Sequence, residues 1–448
     1  MKKKNIIWWT GIINTEHNDK YGGFEYLQYS RKTWEYWCKQ NDCEFIAFTE
    51  PVEKDLFKFR VNWQKAIFCF DELEKRGIEY DQICLVDSSC MIKWDAPNFF
   101  ELTDRKFSAW RDLDNMRWTN DSINGYKEFF NFDLDRTKYI NSGFIIFNEA
   151  HKEFFNSFKQ LYYDNVDIFC ELQDKIIKKG TEQTPLNYWL QINDIDIKTD
   201  LPVAFKLTHL HRKEMFGWNW QLNEDKTPYF IKYGYNWIFN GLPKDQRSKI
   251  MQDVWGIVKH NYSDNIIDKV VHKDTHKFTT SKQFKQDILE IFQTDEFKDK
   301  TLIELGCCQG TTTRIYAECF KTVIGYDLDK WNAQQAMKTC ADVTNTKIIC
   351  QDLYNTDWNM PQADVVVIDA GHTYEHIMQD VPRVIEYFDN PIIIIDDYGN
   401  PNQGIRRAID ELESKGVLKI NYKIGADKGY TTATGLVFDN KEGVICNV

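Results

Sequence analysis

The sequence predicts an α/β protein built from two domains. The chain has 448 residues, which is too long for one ordinary hydrophobic core. Two segments each begin with a short apolar strand and then alternate strands with helices, which is typical of sheets covered by helices. The first segment runs from Lys4 to about His211, and the second runs from Lys300 to Val448. Each segment therefore predicts its own α/β domain.

The region between the two segments indicates where the domains divide. Aromatic and charged residues dominate 227–237, and a helical pattern and then a polar stretch follow as far as residue 280. We place the boundary near residue 265, which gives domains of 1–265 and 266–448. From about residue 225, the first domain is expected to carry a helical and aromatic extension.

Charge and composition exclude several classes of protein. Lys and Arg number 56 against 68 Asp and Glu, so no overall positive field exists to hold a nucleic acid. No apolar stretch approaches the ~20 residues of a membrane span, and none resembles a signal peptide, so a cytoplasmic protein is expected. The 12 cysteines are scattered through apolar segments and form no pair of CxxC repeats. We interpret them as small buried hydrophobic residues.

Three acidic residues follow two very apolar strands in the second domain. Asp369 ends the run Val365–Ile368, while Asp396 and Asp397 end the run Ile392–Ile395. In a doubly wound sheet the carboxyl ends of the strands meet at the ligand crevice, so these acids are expected to converge there. A divalent cation would neutralise them. The alternative for each acid is a helix cap or a turn.

A glycine-containing turn precedes these strands at a spacing typical of Rossmann-like folds. Gly306 and Gly310 allow the backbone to approach a ligand, and the Thr-rich helix that follows offers free N–H groups. The next strand ends on Asp327, about twenty residues on, where an acid binds the ribose hydroxyls of an adenosine-containing cofactor. A third strand leads to Asp352, which is placed to meet the adenine amino group.

From about residue 278 to the end, the chain resembles the class I S-adenosylmethionine-dependent methyltransferases. Within that class it is similar to metal-dependent O-methyltransferases that act on sugar hydroxyls of macrolides and, more distantly, on catechols. The matching positions are Glu304–Gly310, Asp327, Asp352, Asp369–Tyr374 and Asp396–Asp397.

The resemblance implies a cofactor site and a metal site. It places Glu304, Gly306 and Gly310 against the methionine part of S-adenosylmethionine, and Asp327 on the ribose. It implies that Mg²⁺ or a similar hard cation is bound by the acids at the two later strand ends, which are Asp369, Asp396 and Asp397. One position departs from the family, because Cys308 replaces the usual middle glycine of the cofactor loop.

The expected chemistry is methylation of a hydroxyl. The metal would lower the pKa of the acceptor hydroxyl and hold it in line with the methylsulfonium. His372 is the candidate base, although it alternatively caps the next helix or packs beside Tyr374. His376, one turn further on, is expected to be structural. A nicotinamide-dependent oxidoreductase remains the alternative for this domain, but the Asp396–Asp397 pair and the missing GxGxxG motif disfavour it.

The first domain contains an apolar strand that is interrupted by a polar triplet. Ile83–Val86 stops on Asp87, and the strand resumes as Cys90–Ile92. Glycosyltransferases that use nucleotide sugars have such an interruption, where an Asp-x-Asp holds a metal against the diphosphate. Together with the Asn-Ser-Gly turn in 138–148, the acid-Gln pair that begins 182–187 and the late histidines, this pattern resembles the GT-A glycosyltransferases of glycogenin-like type.

That resemblance implies roles for residues in four stretches of the first domain. Asp87 and His209 would bind Mn²⁺ or Mg²⁺, with His211 as the alternative to His209. The residues that would line the sugar pocket or face the donor sugar or acceptor are Asn141, Ser142, Gly143, Glu182 and Gln183.

Two features of the first domain bear on its metal and phosphate binding. Ser89 stands at the second Asp position of the triplet, and a hydroxyl is a weaker metal ligand than a carboxylate. Arg60 and Lys65 are candidates for binding the diphosphate, with solvated helix charges as the alternative.

The sequence therefore predicts a bifunctional glycan-modifying enzyme of surface polysaccharide biosynthesis. Its expected partners are a nucleotide-sugar donor and a glycan acceptor, and tethering the two activities would raise the local concentration of their shared intermediate. The alternative is a sugar O-methyltransferase whose N-terminal domain binds glycans without catalysis.

Overall fold

A computed structural model describes most of the chain. The described residues are 3–14, 23–112, 115–207, 220–224, 226–241, 246–271, 279–402 and 404–448. The chain divides into two compact units, Met1–Tyr262 and Ser263–Val448, while the boundary predicted from sequence was near residue 265. Within the described ranges, no helix is long and apolar enough to cross a membrane.

The N-terminal unit contains a six-stranded mixed sheet and a two-stranded ribbon. Its strands are β1 Lys4–Thr10, β2 Glu44–Phe48, β3 Tyr80–Asp87, β4 Cys90–Ile92, β5 Phe107–Arg111, β6 Ile140–Phe147, β7 Ile197–Lys198 and β8 Asn236–Ile238. The sheet order is β2-β1-β3-β6-β5-β7, and β4 pairs with β8. β1 is parallel to β2 and β3, whereas β6 runs antiparallel to β3 and β5. The carboxyl end of β3 therefore lies beside the amino end of β6.

Helices cover both faces of this sheet. The α-helices are Tyr26–Gln40, Val61–Ile67, Cys69–Lys75, Met116–Phe130, Lys152–Asp164, Val166–Glu171, Gln183–Ile192, Tyr229–Tyr233 and Gln246–Val258. Strand β1 shows why both faces are apolar. Ile6 and Trp8 enter one core cluster, and the alternating Ile7 and Trp9 enter another, as the two-residue period of a strand requires.

The C-terminal unit is a seven-stranded sheet flanked by helices. Its strands are β9 Thr301–Leu305, β10 Thr322–Asp327, β11 Thr346–Cys350, β12 Val365–Ile368, β13 Ile392–Ile395, β14 Lys419–Ile424 and β15 Gly443–Asn447. Its helices are Ile266–Val271, Lys282–Phe292, Thr311–Tyr316, Lys330–Thr339, Tyr374–Tyr387 and Ile405–Ser414.

The strand order of this sheet places a crevice at the carboxyl end of β9. The order is β11-β10-β9-β12-β13-β15-β14, with β9 to β13 parallel and β15 antiparallel to both of its neighbours. The chain moves outward from β9 to β11 and then returns to β12 on the other side. This reversal is the topological switch point at which doubly wound sheets bind ligands. Dinucleotide-binding domains have the parallel strand order 3-2-1-4-5-6. This sheet differs from them because the antiparallel strand β15 lies beside β13.

The cysteines are packing residues for the most part. None of the 12 forms a disulfide, and nine are buried. Cys350 is exposed, so the prediction of burial is wrong there because the residue ends the edge strand β11.

Candidate active site

The turn after β9 is held against two neighbouring strands of the C-terminal sheet. The N–H groups of Gly306 and Cys307 both donate to the carbonyl oxygen of Tyr326, at 2.9 Å. Gly306 has φ +94°, and a Cβ at that position would lie 2.2 Å from the carbonyl oxygen of Asp369. Gly310 has φ +77° and approaches the helix Lys330–Thr339 closely. Both glycines therefore have a steric reason to be present.

Cys308 adopts the left-handed conformation that glycine usually supplies. Its φ is +44°, and its N–H donates to Oδ2 of Asp327 at 2.8 Å. The turn after β9 therefore forms although Cys308 stands where the resemblance implies a glycine. The conformation costs a non-glycine residue about 1 kcal/mol.

Replacing Cys308 with glycine is expected to leave S-adenosylhomocysteine binding unchanged or tighter, because the turn is preserved and the strain is removed. The free energy of unfolding should change by less than about 1 kcal/mol, since relief of strain and the greater entropy of unfolded glycine oppose each other. Calorimetric titration and urea denaturation measure the two quantities. Cys350→Gly, at the end of a strand, is the control and should lower stability. A clear loss of affinity in Cys308→Gly would show that the thiol itself contributes to binding.

Asp327 is fixed at the end of β10 by backbone donors. Oδ1 accepts from the N–H of Asp329 and Oδ2 from the N–H of Cys308, both at 2.8 Å. Burial raises the pKa of this carboxyl, and the two backbone hydrogen bonds oppose the rise. Each carboxylate oxygen can accept a further hydrogen bond. The two backbone donors therefore fix the orientation of this carboxylate at the end of β10.

Asp352 closes a turn after β11. Its Oδ1 accepts from the N–H groups of Tyr354 and Asn355, at 3.0 and 3.1 Å, and its Oδ2 accepts from Nδ2 of Asn355 at 2.6 Å. The hydrogen bonds, with that from the Asn355 side chain foremost, lower the pKa of Asp352. These contacts are those of a turn residue, so its contact with adenine stays a prediction.

Glu304 lies buried in β9, one residue before the end of that strand. Its residue is 2% exposed, and Oε2 accepts a hydrogen bond from Oγ1 of Thr313 at 2.5 Å. Burial raises the pKa of Glu304 to about 8. The hydroxyl of Thr313 and the ammonium of Lys285 oppose that rise. A cationic group of a ligand would favour the ionised form of this carboxyl.

The three acids at the ends of β12 and β13 are near enough to repel one another. Burial first, and then repulsion from neighbouring carboxylates, raises the pKa values of Asp369 and Asp396 well above the usual range. Oδ1 of Asp396 is buried without a hydrogen-bond partner. However, no three His, Cys, Asp or Glu side chains within the described ranges are arranged to hold a metal ion. The three acids therefore lie close enough to repel one another, as predicted. Within the described residues they are not arranged as a metal site.

His372 pairs with one of these acids. Its Nδ1 lies 2.9 Å from Oδ2 of Asp397 and 4.0 Å from Oδ1 of Asp369. The hydrogen bond to Asp397 raises the pKa of His372. The cap of the helix Tyr374–Tyr387 is Thr373, so the alternative in which His372 caps this helix is wrong. His372 instead contacts the acid cluster directly.

His376 has the contacts of a structural residue. Its Nδ1 is 3.0 Å from Oγ1 of Thr373, and its ring centroid is 5.2 Å from that of Tyr354.

Two buried charged groups near this cluster were missed from the sequence. Lys285 is fully buried, and its Nζ donates to the carbonyl oxygen of Thr280 at 2.5 Å. Glu442 accepts from the N–H groups of Ser281 and Ala426 at 2.7 and 2.8 Å. The available signal was the position of Lys285 on the buried face of the helix Lys282–Phe292.

The N-terminal unit gathers a second set of charged residues around Lys65. Nζ of Lys65 lies 2.6 Å from Oδ1 of Asp87 and 3.1 Å from Oε1 of Glu182. Lys65 is only 2% exposed, so the alternative in which it is a solvated helix charge is wrong. Burial lowers the pKa of Lys65, but the attraction of the two carboxylates outweighs burial and raises it overall.

The first polar residues of β6 contact the same groups, and 141–143 lie within this strand rather than in the predicted turn. Ser142 donates from Oγ to Oε1 of Glu182 at 2.7 Å and from its N–H to Oε1 of Gln183 at 3.2 Å. Gln183 Nε2 and Asn141 Nδ2 both donate to Oδ2 of Asp112, at 2.9 and 3.3 Å. Asp112 was not identified from the sequence, because no motif marks it. Three stretches that are distant in sequence thus form one polar cluster.

Gly143 lies in β6 beside this cluster, where its backbone N–H donates to Oδ1 of Asn141 at 2.9 Å. Other predicted residues lie apart from the cluster or outside the described ranges. Arg60 is paired with Asp174. His209 and His211 lie outside the described residues.

Part of the C-terminal unit is similar to a known protein family. Residues 303–389 match the family model described as "Methyltransferase domain". No curated protein matches the chain significantly in sequence.

Several solved methyltransferase structures are similar to the chain. An O-methyltransferase from Bacillus cereus in complex with S-adenosylhomocysteine is 15% identical, with 44% of this chain and 95% of that chain covered and a TM-score of 0.30. A precorrin-6y C5,15-methyltransferase from Geobacter metallireducens is 14% identical, with 39% and 95% covered and a TM-score of 0.27. Fibrillarin from Aeropyrum pernix, with bound S-adenosylmethionine, is 14% identical, with 37% and 74% covered and a TM-score of 0.26. These low TM-scores add no weight to the family match.

The matched range runs from β9 through the helix Tyr374–Tyr387 and so includes Glu304, the glycine turn, Asp327 and Asp369. Within the C-terminal unit, residues 303–389 are therefore similar to a methyltransferase domain.

Proposed function

We propose that the C-terminal unit transfers a methyl group from S-adenosylmethionine to a sugar hydroxyl. The observation that carries this proposal is the acid cluster with His372 in the same domain as the methyltransferase match. Cofactor binding and a base for the acceptor are the two requirements of O-methylation, and residues suited to each occur in this one domain.

The cofactor would be bound by the residues at the ends of β9 and β10. Glu304 supplies a buried carboxylate for the ammonium of the methionine part. Gly306 and Gly310 have no side chains, so the cofactor can approach the backbone of this turn closely. Asp327 accepts the two ribose hydroxyls, since each of its oxygens is already oriented by one backbone N–H.

Asp369, Asp396 and Asp397 would hold a divalent cation such as Mg²⁺. Their chemistry fits a hard cation, because all donors are carboxylate oxygens and one of them, Oδ1 of Asp396, is buried without a partner. When bound, the cation supplies Lewis acidity that lowers the pKa of the acceptor hydroxyl. Asp397 contacts His372 through Oδ2, and a carboxylate can bind a cation through its other oxygen while it keeps that contact.

The reaction then needs one proton acceptor. Nδ1 of His372 is engaged by Asp397, so Nε2 is the atom that would accept the proton of the acceptor hydroxyl. The hydroxyl oxygen forms a bond to the methyl carbon as the carbon–sulfur bond breaks. S-adenosylhomocysteine is left, and its sulfur keeps the electron pair of the broken bond.

The role of the acid cluster is tested by calorimetric titration with S-adenosylhomocysteine, with and without Mg²⁺. We expect the wild type to bind the ligand and to bind Mg²⁺, and Asp396→Asn to keep the first interaction and lose the second. Asp389→Asn removes an exposed carboxylate of the same domain and should behave like the wild type. Undiminished Mg²⁺ binding by Asp396→Asn would contradict the proposed metal site.

A second proposal concerns the N-terminal unit, for which we propose glycosyl transfer from a nucleotide sugar. The mixed sheet and the cluster of Asp87, Ser142, Glu182 and Gln183 support it, since the residues implied by the glycosyltransferase resemblance contact a common centre. The two activities would act in sequence on one glycan of a surface polysaccharide, the first adding a sugar and the second methylating it.

Hydrolysis of nucleotide sugars, assayed with and without Mn²⁺, tests this second proposal. We expect the wild type to hydrolyse nucleotide sugars and Glu182→Gln to lose this turnover. Retained glycan binding without turnover would instead favour an N-terminal unit that binds glycans without catalysis.

A further inference from the structure

The cluster around Lys65 has a charge balance that differs from that of a metal site. Asp87 and Glu182 supply two negative charges, and the ammonium of Lys65 lies between them at 2.6 and 3.1 Å. The side chains of Lys65 and Glu182 are 2% and 3% exposed, so solvent screens these charges weakly. The three groups together carry one negative charge, which leaves little attraction for a divalent cation.

The ammonium has no donor left for a ligand. Its hydrogen bonds go to Oδ1 of Asp87 and to the carbonyl oxygen of Ser142, and Oε1 of Glu182 lies within ion-pair distance. A lysine has three N–H donors, so these three oxygens account for all of them. The sequence suggested that Lys65 binds the diphosphate. Its ammonium has no donor left for that role. It positions Asp87 and Glu182 instead.

The surroundings of Asp87 also fit a metal poorly. Oδ1 is taken by Lys65, and Oδ2 approaches the Cα of Gly143 so closely that a Cβ there would lie 2.9 Å away. Ser89, at the position of the second carboxylate, offers a neutral hydroxyl and is 5% exposed. Like-charge repulsion from Lys65 would oppose a cation bound at Asp87.

From these contacts we infer that Lys65 occupies the carboxylates that would otherwise hold a divalent cation in the N-terminal unit. The ammonium neutralises Asp87 and fixes Glu182 beside the first residues of β6, and the unit binds its nucleotide-sugar ligand without a metal. This inference rests on the proposal of glycosyl transfer for the identity of the ligand. The independence from metal is a property of the cluster itself and is tested separately.

The first test counts bound Mn²⁺ by electron paramagnetic resonance in full-length protein that carries Asp396→Asn, so that the acid cluster of the C-terminal unit does not contribute. We expect the amount of free Mn²⁺ to be the same with and without the further change Asp87→Asn. Loss of a bound Mn²⁺ on introducing Asp87→Asn would overturn the inference.

The second test removes the ammonium. Lys65→Met leaves the buried Glu182 and the partly exposed Asp87 without their counter-charge, so this variant should gain Mn²⁺ binding, and Mn²⁺ should raise its midpoint of thermal unfolding. Lys93→Met is the matched control, because Lys93 is also buried but pairs with the half-exposed Asp95 at 3.1 Å and donates to the carbonyl oxygen of Lys232 at 3.0 Å. Equal responses of the two variants to Mn²⁺ would contradict a specific role for Lys65. If Lys65→Met does not fold, the first test, which compares Mn²⁺ binding with and without Asp87→Asn, still decides whether Asp87 binds a metal.

Titration with uridine diphosphate separates this inference from the proposed function. We expect its affinity to change by less than about twofold when Mn²⁺ is added. Binding that requires Mn²⁺ would refute the inference and leave glycosyl transfer intact. Absence of binding under both conditions, repeated with guanosine diphosphate, would count against glycosyl transfer, while the Mn²⁺ measurements would still decide the role of Lys65.

Discussion

Replacing Gly306 with alanine is expected to abolish S-adenosylhomocysteine binding and to lower the free energy of unfolding by roughly 3 kcal/mol or more. The new Cβ would lie 2.2 Å from the carbonyl oxygen of Asp369, and φ is +94°. The obstructing atom belongs to the backbone, so no rotamer change relieves the clash. The turn must move away from β12, and the hydrogen bonds to Tyr326 are lost with it. Calorimetric titration and urea denaturation measure the two effects.

Gly429→Ala is the matched control for this substitution. Gly429 has φ +90°, but a Cβ there would meet no atom within 4 Å. It should therefore show only the cost of the backbone conformation, about 1 kcal/mol, and bind the ligand normally. Equal destabilisation in the two variants would show that the close approach at Gly306 is not the reason for its glycine.

Replacing Glu304 with glutamine is expected to stabilise the ligand-free protein at alkaline pH. Burial raises the pKa of Glu304 from 4.5 to about 8, so the folded state holds this proton more tightly than the unfolded state. The stabilisation is present in full below pH 4.5 and is lost as the pH rises towards 8. At one pKa unit per 1.36 kcal/mol, the loss is on the order of 5 kcal/mol. Glutamine does not ionise, so the variant should lack this part of the pH dependence.

The same substitution is expected to weaken S-adenosylhomocysteine binding by about tenfold or more, because an ammonium loses its charged partner. Unfolding free energies at pH 5.5 and 8.5, with calorimetry at pH 7.5, test both effects. Glu386→Gln, at an exposed position of the same unit, should change neither quantity. If the unfolding free energy falls between pH 5.5 and 8.5 by the same amount in Glu304→Gln and in the wild type, the carboxyl of Glu304 is not the group that ionises.

The strand ends of the C-terminal unit could be predicted because a local pattern marks them. Runs of four apolar residues that stop on an acid require only the rule that parallel strands present their carboxyl ends at one edge. Asp369 and the pair Asp396–Asp397 were predicted in this way, whereas Asp327 was predicted from its spacing after the glycine turn. Asp352 was also predicted at a strand end, but it closes a local turn with the N–H groups of Tyr354 and Asn355.

The buried lysines could not be predicted with the same means. Lys65 and Lys285 lie on helices, and their partners are 22 or more residues away in sequence, or are small polar groups without a motif. Burial of a lysine depends on which carboxylates the tertiary fold brings near it. The contact of His372 with Asp397 likewise depends on the relative positions of β12 and β13.

The measurement that tests the central claim most directly is titration of the whole protein with S-adenosylhomocysteine and, separately, with NAD. Class I methyltransferase chemistry predicts that the first ligand binds with one site per chain and that Gly306→Ala loses this binding. It predicts no binding of NAD. Binding of NAD without binding of S-adenosylhomocysteine would contradict the assignment and identify the C-terminal unit as a dinucleotide-binding domain.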